Sequence, residues 1–305
     1  MSTVTNLNST TVRKMMSLTA LRAMFTLGSY VSPDATAERA ARLFATPFAS
    51  SRKRARNVGR DADMITESIE VDGQTLSTYR WGDPSHQPYA LLLHGWSSFG
   101  LRFLSWVAAL RAAGYAVVTF DQPGHGKSGG HLATLPEFAA AARAVGARYG
   151  TAALAVGHSF GGAALAMALD DSWQAKRIVL IAPSADMIAA VDRFFRFVKL
   201  RDRVRDAFYA WHLRRTGVDP RTLQVERHLR RLGQPCLVIH DLDDREVPWG
   251  EGERYAHSWP DARMLTTEGL GHNRIVDNPD VIAAALAFAR GETIGDRVLG
   301  SPGLI

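Results

Sequence analysis

The sequence predicts an α/β fold in which a mostly parallel sheet is flanked by helices. Two observations carry this. From Ile65 onward short, unbroken apolar runs alternate with helical patterns, and one Arg-rich helical stretch interrupts the alternation before it resumes. Unbroken apolar strands are buried on both faces, as happens when helices cover both sides of a parallel sheet. One domain carrying a helical insert explains this order better than two domains in series, and 305 residues suffice for it.

The first helical pattern, KMMSLTALRAMFTLGSYV, places Met15, Leu18, Leu21 and Phe25 on one face. Arg22 interrupts it, so it reads as neither a membrane span nor an export signal. SPDATAERAARLFATP starts a second helix, with Ser32 as N-cap, Pro33 at the first position and Asp34 in the first turn. The run SRKRAR (51–56) reads as an exposed linker. IEVDGQTLSTYRW forms a hairpin turning at Asp72-Gly73. The remaining strands are YALLL, YAVVTFD, AALAVGH, RIVLIAP, CLVIHD and ARMLTTE. Helical patterns occupy FLSWVAALRAAG, LPEFAAAARAVGARYG, FGGAALAMALD and VIAAALAFARG. The expected organisation is a basic helical extension over 1–60, a core over 61–183 and 232–305, and a helical lid over 184–231.

Charge is distributed unevenly. The net +6 is composed of +8 on residues 1–60, +7 on 190–231 and −9 on the rest. Such basic patches favour anionic surfaces or acidic ligands over any specific nucleic acid. Peripheral contact with an anionic membrane through the extension and the lid is therefore an expectation. The single cysteine, Cys236, excludes an internal disulfide and a multi-cysteine zinc site, and fits a reducing, cytoplasmic setting.

Ligands bind outside the carboxyl ends of parallel strands, so the turns after the strands hold the candidates. After AALAV, Gly157-His158-Ser159-Phe160-Gly161 is G-x-S-x-G between a strand and a helix. That context lifts Ser159 clear of the sheet as a nucleophile, while Gly157 and Gly161 stand where side chains would collide. After YALLL comes His94-Gly95-Trp96. The Trp96 amide, with that of Phe160, is the candidate oxyanion hole, and His94 reads as a residue that orders this loop. Gly124 to Gly129 fits G-x-G-x-x-G, but the next strand ends in Gly157-His158 rather than an acid for a ribose. Asp121 stands where a P-loop requires its first glycine. Neither nucleotide reading survives. Asp241, Asp243, Asp244 and Glu246 could support a catalytic histidine, line a solvated loop or bind metal. Adjacent acids tend to point apart and no histidine pair accompanies them, which disfavours metal.

The motifs LLLHGW, DQPGHGKSGG, VGHSFGG, VIHDLDDREVP and GLGHNRI occur in the order seen in serine α/β-hydrolases, and the chain resembles that superfamily over roughly 65–292. The resemblance implies an α/β-hydrolase fold with about eight mostly parallel strands, a lid inserted after the sixth, and a Ser–Asp–His chain order. Ser159 matches the nucleophile and His272 the base. Asp244, ahead of the x-x-V-P ending, matches the acid. Asp241, where relatives commonly carry glycine, is the rival; Asp243 and Glu246 then face solvent or cap the helix after Pro248. His125 and His158 read as support. No cofactor or metal is expected. The expected reaction is hydrolysis of a small-molecule carboxylic ester or thioester. Acyl transfer, peptidase action and ligand binding without catalysis are the alternatives. Phe194, Phe197 and Trp211 of the insert either line an acyl pocket or pack in the fold.

Overall fold

Asp72 and Gly73 take left-handed φ values of 49° and 73°, and strands β1 (Ile65–Val71) and β2 (Gln74–Trp81) pair antiparallel on either side of them. The structure, a computed structural model, describes residues 9–59, 61–169, 173–224 and 229–298. Six further strands complete one sheet: β3 (Tyr89–Leu93), β4 (Ala116–Phe120), β5 (Leu154–His158), β6 (Ile178–Ile181), β7 (Cys236–Asp241) and β8 (Ala262–Thr267). The order is β1-β2-β4-β3-β5-β6-β7-β8, and every pairing from β4 to β8 is parallel. The eight-stranded, mostly parallel sheet is the one the resemblance implies.

Along the chain the helices are α1 (Ser9–Val31), α2 (Pro33–Phe44), α3 (Ala49–Asn57), α4 (Leu104–Ala112), α5 (Leu135–Ala147), α6 (Phe160–Ala168), α7 (Met187–Val198), α8 (Arg205–Thr216), α9 (Trp249–Ser258) and α10 (Pro279–Ala289). Strand residues alternate between two cores. Leu91, Leu93, Val118 and Leu180 meet α5, α6 and α9 on one face, while Ala90, Leu92, Val117 and Val179 meet α4 and α10 on the other. Burial on both faces is why these strands are apolar throughout.

The chain divides into two compact units. One joins Thr46–Asp186 to the segment from Gln224 onward; the other joins the chain up to Ala45 to Met187–Leu223. SRKRAR is not an exposed linker: it is α3, with Ser51 and Ala55 buried. The Arg52 guanidinium donates to the carbonyls of Gly124 (2.8 Å) and Gly130, and Arg54 Nη2 donates to Ser97 O (2.9 Å). Arginines here satisfy loop carbonyls that have no strand partner. Where the second unit leaves and re-enters the first, Asp186 and Gln224 bridge each other, and Glu251 of α9 accepts from Ala185 N at 2.8 Å.

In the helical unit α1 packs on α2 and α7, and α2 on α8. Phe25 is buried and Leu18 and Leu21 are half-buried; Met15 lies outside the described side chains. Pro33 opens α2, although Ser32 makes no side-chain capping bond. Among the described residues no helix is long and apolar enough to cross a membrane.

Candidate active site

Ser159 ends β5 and begins α6 with φ 55° and ψ −124°, a conformation that costs a non-glycine residue about 1–3 kcal/mol. The surrounding backbone enforces it: Ser159 N donates to Ile181 O, and Ser159 O accepts from Gly162 N, both at 2.9 Å. A Cβ on Gly157 would lie 2.7 Å from Gly162 Cα, and one on Gly161 would lie 2.6 Å from Leu93 O. The turn closes only because both positions are glycine.

His272 arrives from a helical turn, Gly271–Arg274, after β8. Its Nε2 accepts from Ser159 Oγ at 3.0 Å, and its Nδ1–H donates to Asp244 Oδ2 at 2.7 Å. All three side chains are buried. Asp244 Oδ1 accepts from the Glu246 and Val247 amides, each at 2.9 Å. Burial raises its pKa, but hydrogen bonds from His240 and His272 outweigh that and hold the carboxyl well below the usual range. A carboxylate kept charged at Nδ1 fixes the tautomer that leaves Nε2 free to take a proton.

One residue escapes sequence reasoning, and the rival acid takes another task. His240, wholly buried on β7, donates its Nε2–H to Val247 O at 3.0 Å and lies 3.3 Å from Asp244 Oδ2. Asp241 is neither the histidine's partner nor idle. Its two oxygens accept from Asp243 N (3.0 Å), Gly271 N (2.9 Å), Thr267 Oγ1 (2.7 Å) and Leu270 N (3.0 Å). Burial raises its pKa, but these bonds lower it further. Asp243 and Glu246 are exposed, as expected of the pair, yet each also holds the facing loop. Asp243 accepts from Gly269 N at 3.0 Å, and Glu246 accepts from Asn273 Nδ2 at 2.6 Å. The four acids thus engage Thr267, Gly269, Leu270, Gly271, His272 and Asn273 nearly residue by residue. Acids in a loop parallel to another loop meet its amides, a pairing that sequence spacing does not reveal.

On the other side of Ser159 lie the Trp96 and Phe160 amides; among the described residues neither donates to a backbone or side-chain acceptor. Their rings meet edge to face at 5.4 Å. His94 Nδ1–H donates to Gly95 O at 2.7 Å, and its Nε2 accepts from Gln122 N at 3.0 Å. His125 repeats the pattern, donating to Pro123 O at 2.8 Å and accepting from Ser97 N at 3.0 Å. Burial pushes their pKa values down to about 4 and about 3. His158 donates from Nε2 to His272 O at 3.0 Å, and burial holds it well below the ordinary histidine range. Gly95 lets this loop approach, since a Cβ there would lie 2.9 Å from Ser159 Cβ.

A model of the alpha/beta hydrolase family matches residues 90–285, well over half of the chain. This chain belongs to the alpha/beta hydrolase family. Over 58 residues the hydrolase is 36% identical to RutD of Pseudomonas savastanoi pv. phaseolicola, named as a carbamate hydrolase; that match spans 19% of this chain and 22% of the relative. Among solved structures it resembles the esterase RhEst1 from Rhodococcus sp. ECU1013, with TM-score 0.56 and 20% identity over 76% of this chain and all of that one. A bacterial membrane phospholipase A matches with TM-score 0.57 and 20% identity, covering 92% of this chain and 98% of its own. Identities this low establish the shared fold.

The insert aromatics are engaged within the helical unit of the hydrolase. Phe194 packs on Phe44 (5.0 Å between ring centroids), Phe195 and Phe208. Trp211 is buried against His212, whereas Phe197 is 54% exposed beneath the Arg22 guanidinium. Among the described residues no three His, Cys, Asp or Glu side chains gather as metal ligands.

Proposed function

We propose that this hydrolase cleaves a carboxylic ester or thioester through an acyl-enzyme on Ser159. The observation that carries the reading is the continuous hydrogen-bonded line Ser159 Oγ–His272–Asp244, at 3.0 and 2.7 Å, beside two unpaired backbone amides. His272 Nε2 takes the serine proton as Oγ attacks the acyl carbonyl. The Trp96 and Phe160 amides receive the developing oxyanion, and His272 then protonates the leaving alcohol or thiol. Water, deprotonated by the same imidazole, releases the acid and restores Ser159. Asp244 stays ionised throughout and stabilises the imidazolium. His158, disfavoured as a base by burial, positions His272 through its carbonyl.

A fluorophosphonate probe tests this reading. The folded protein is expected to label stoichiometrically on Ser159, and Ser159→Ala to abolish labelling. A well-folded protein that refuses the probe would turn the reading towards ligand binding without catalysis. Turnover of a graded series of aryl esters then ranks the acyl chains the site accepts.

A further inference from the structure

The helical unit carries charge out of proportion to its size. The chain up to Ala45 and Met187–Leu223 together hold 14 Lys and Arg against 6 acids, a net +8, while the remaining residues total −2. Within this unit the segment 197–203 runs beside α1. Arg22 Nε donates to Phe197 O at 2.8 Å, Thr26 Oγ1 to Lys199 O at 3.0 Å, and the Arg203 guanidinium lies 5.3 Å over the Tyr30 ring. These contacts bring two exposed sets into one surface. The apolar set is Leu27 (65% exposed), Tyr30 (56%), Val31 (84%) and Phe197 (54%). The cationic set is Arg196, Lys199, Arg201 and Arg203, all exposed and none with a carboxylate partner among the described residues.

We infer that this surface is a docking face for an anionic phospholipid bilayer. Its two sets of side chains require different things from an occupant. Leu27 and Val31 leave water only in an apolar phase, and four unpaired cations require negative charge around that phase. The interfacial zone of an anionic membrane supplies both, with apolar side chains among the upper acyl chains and cations at the headgroups. A nucleic acid would satisfy the cations and leave Leu27 and Val31 in water. A second copy would set one +8 unit against another, which repulsion opposes. Tyr30 and Phe197, each under a guanidinium, suit the headgroup boundary, where an apolar ring and a wet cation are both accommodated. The inference holds for whichever reaction the active site performs.

Cosedimentation of the full chain with vesicles tests it. One set is pure phosphatidylcholine and the other carries about one third phosphatidylglycerol. Binding to the anionic vesicles is expected, with little to the neutral ones, and it should weaken as salt rises. Substituting Gln for any one of Arg196, Lys199, Arg201 or Arg203 should lower partitioning about fivefold. The pair Leu27→Asp and Val31→Asp should lower it at least about tenfold, since two carboxylates replace inserted apolar groups. Circular dichroism and sedimentation equilibrium confirm that the variants fold and report their association state. Equal binding to both vesicle types, no binding at low salt, or folded variants that bind like the parent would each overturn the inference. So would self-association through Leu27 and Val31 that proceeds without lipid binding.

Discussion

On the β3–β4 side of Ser159 two imidazoles, His94 and His125, order the Trp96 loop, and on the β7–β8 side two carboxylates, Asp241 and Asp244, order the loop of His272. Both groups are buried, and both fix a loop by hydrogen bonds to its backbone. Their charge states differ. His94 and His125 are held neutral by burial, each donating once and accepting once, so they order the Trp96 loop without adding positive charge. Asp241 and Asp244 are held charged by the donors they collect. The contrast suits the proposed chemistry. A charged imidazolium beside the elbow would compete for the nucleophile's electron pair, whereas a carboxylate behind His272 makes that one imidazole the base.

The comparison can be broken most sharply at Asp244. Asp244→Asn keeps the shape and removes the charge, and turnover of an aryl ester should fall about 10⁴-fold with little change in KM. Asp241→Asn should be second. The amide still accepts but cannot serve four donors, so the His272 loop loosens; kcat should fall about 10- to 100-fold and the melting temperature should drop. If Asp241→Asn proves more damaging than Asp244→Asn, the two carboxylates have been given the wrong tasks.

Acid titration sharpens the contrast without mutation. The folded imidazoles of His94 and His125 have depressed pKa values, about 4 and about 3, so below about 6.5 the unfolded chain binds protons that the folded one refuses. Their contribution to stability is complete above about pH 6.5 and drains away as pH falls towards those values. Asp121, pushed up by burial, acts in the opposite sense, while Asp241 and Asp244 lose their contribution only below the ordinary carboxylate range. Urea unfolding at stepped pH should therefore show stability falling first between about pH 6.5 and pH 4. A flat profile there would mean these imidazoles are not held neutral. The smallest effect is expected at Asp243→Asn, where the amide oxygen can still accept from Gly269 N. Activity should stay within about twofold and stability within about 0.5 kcal/mol.

Legibility in the sequence followed locality. The Asp72-Gly73 hairpin, the unbroken strands and the Gly157-to-Gly161 turn each depend on residues adjacent in the chain, and each was readable. SRKRAR reads as a linker in the sequence because the carbonyls that hold Arg52, those of Gly124 and Gly130, lie 72 and 78 residues away. The task of Asp241 is hidden for the same reason: three of its four donors come from the end of β8 and the loop after it, 26–30 residues further on. Phe194 and Trp211, which the sequence leaves open between lining a pocket and packing in the fold, show the limit from the other side, since aromatic spacing on a helix is the same whether the ring packs on a neighbour or meets a ligand.

By itself the sequence determined the class of fold, the strained serine turn and the uneven charge, because backbone conformation and burial pattern are written in neighbouring residues. Tertiary structure alone decided how the acids after β7 divide their work. A carboxylate's role depends on which donors converge on it, and those donors come from a strand and a loop that only the closed sheet brings alongside.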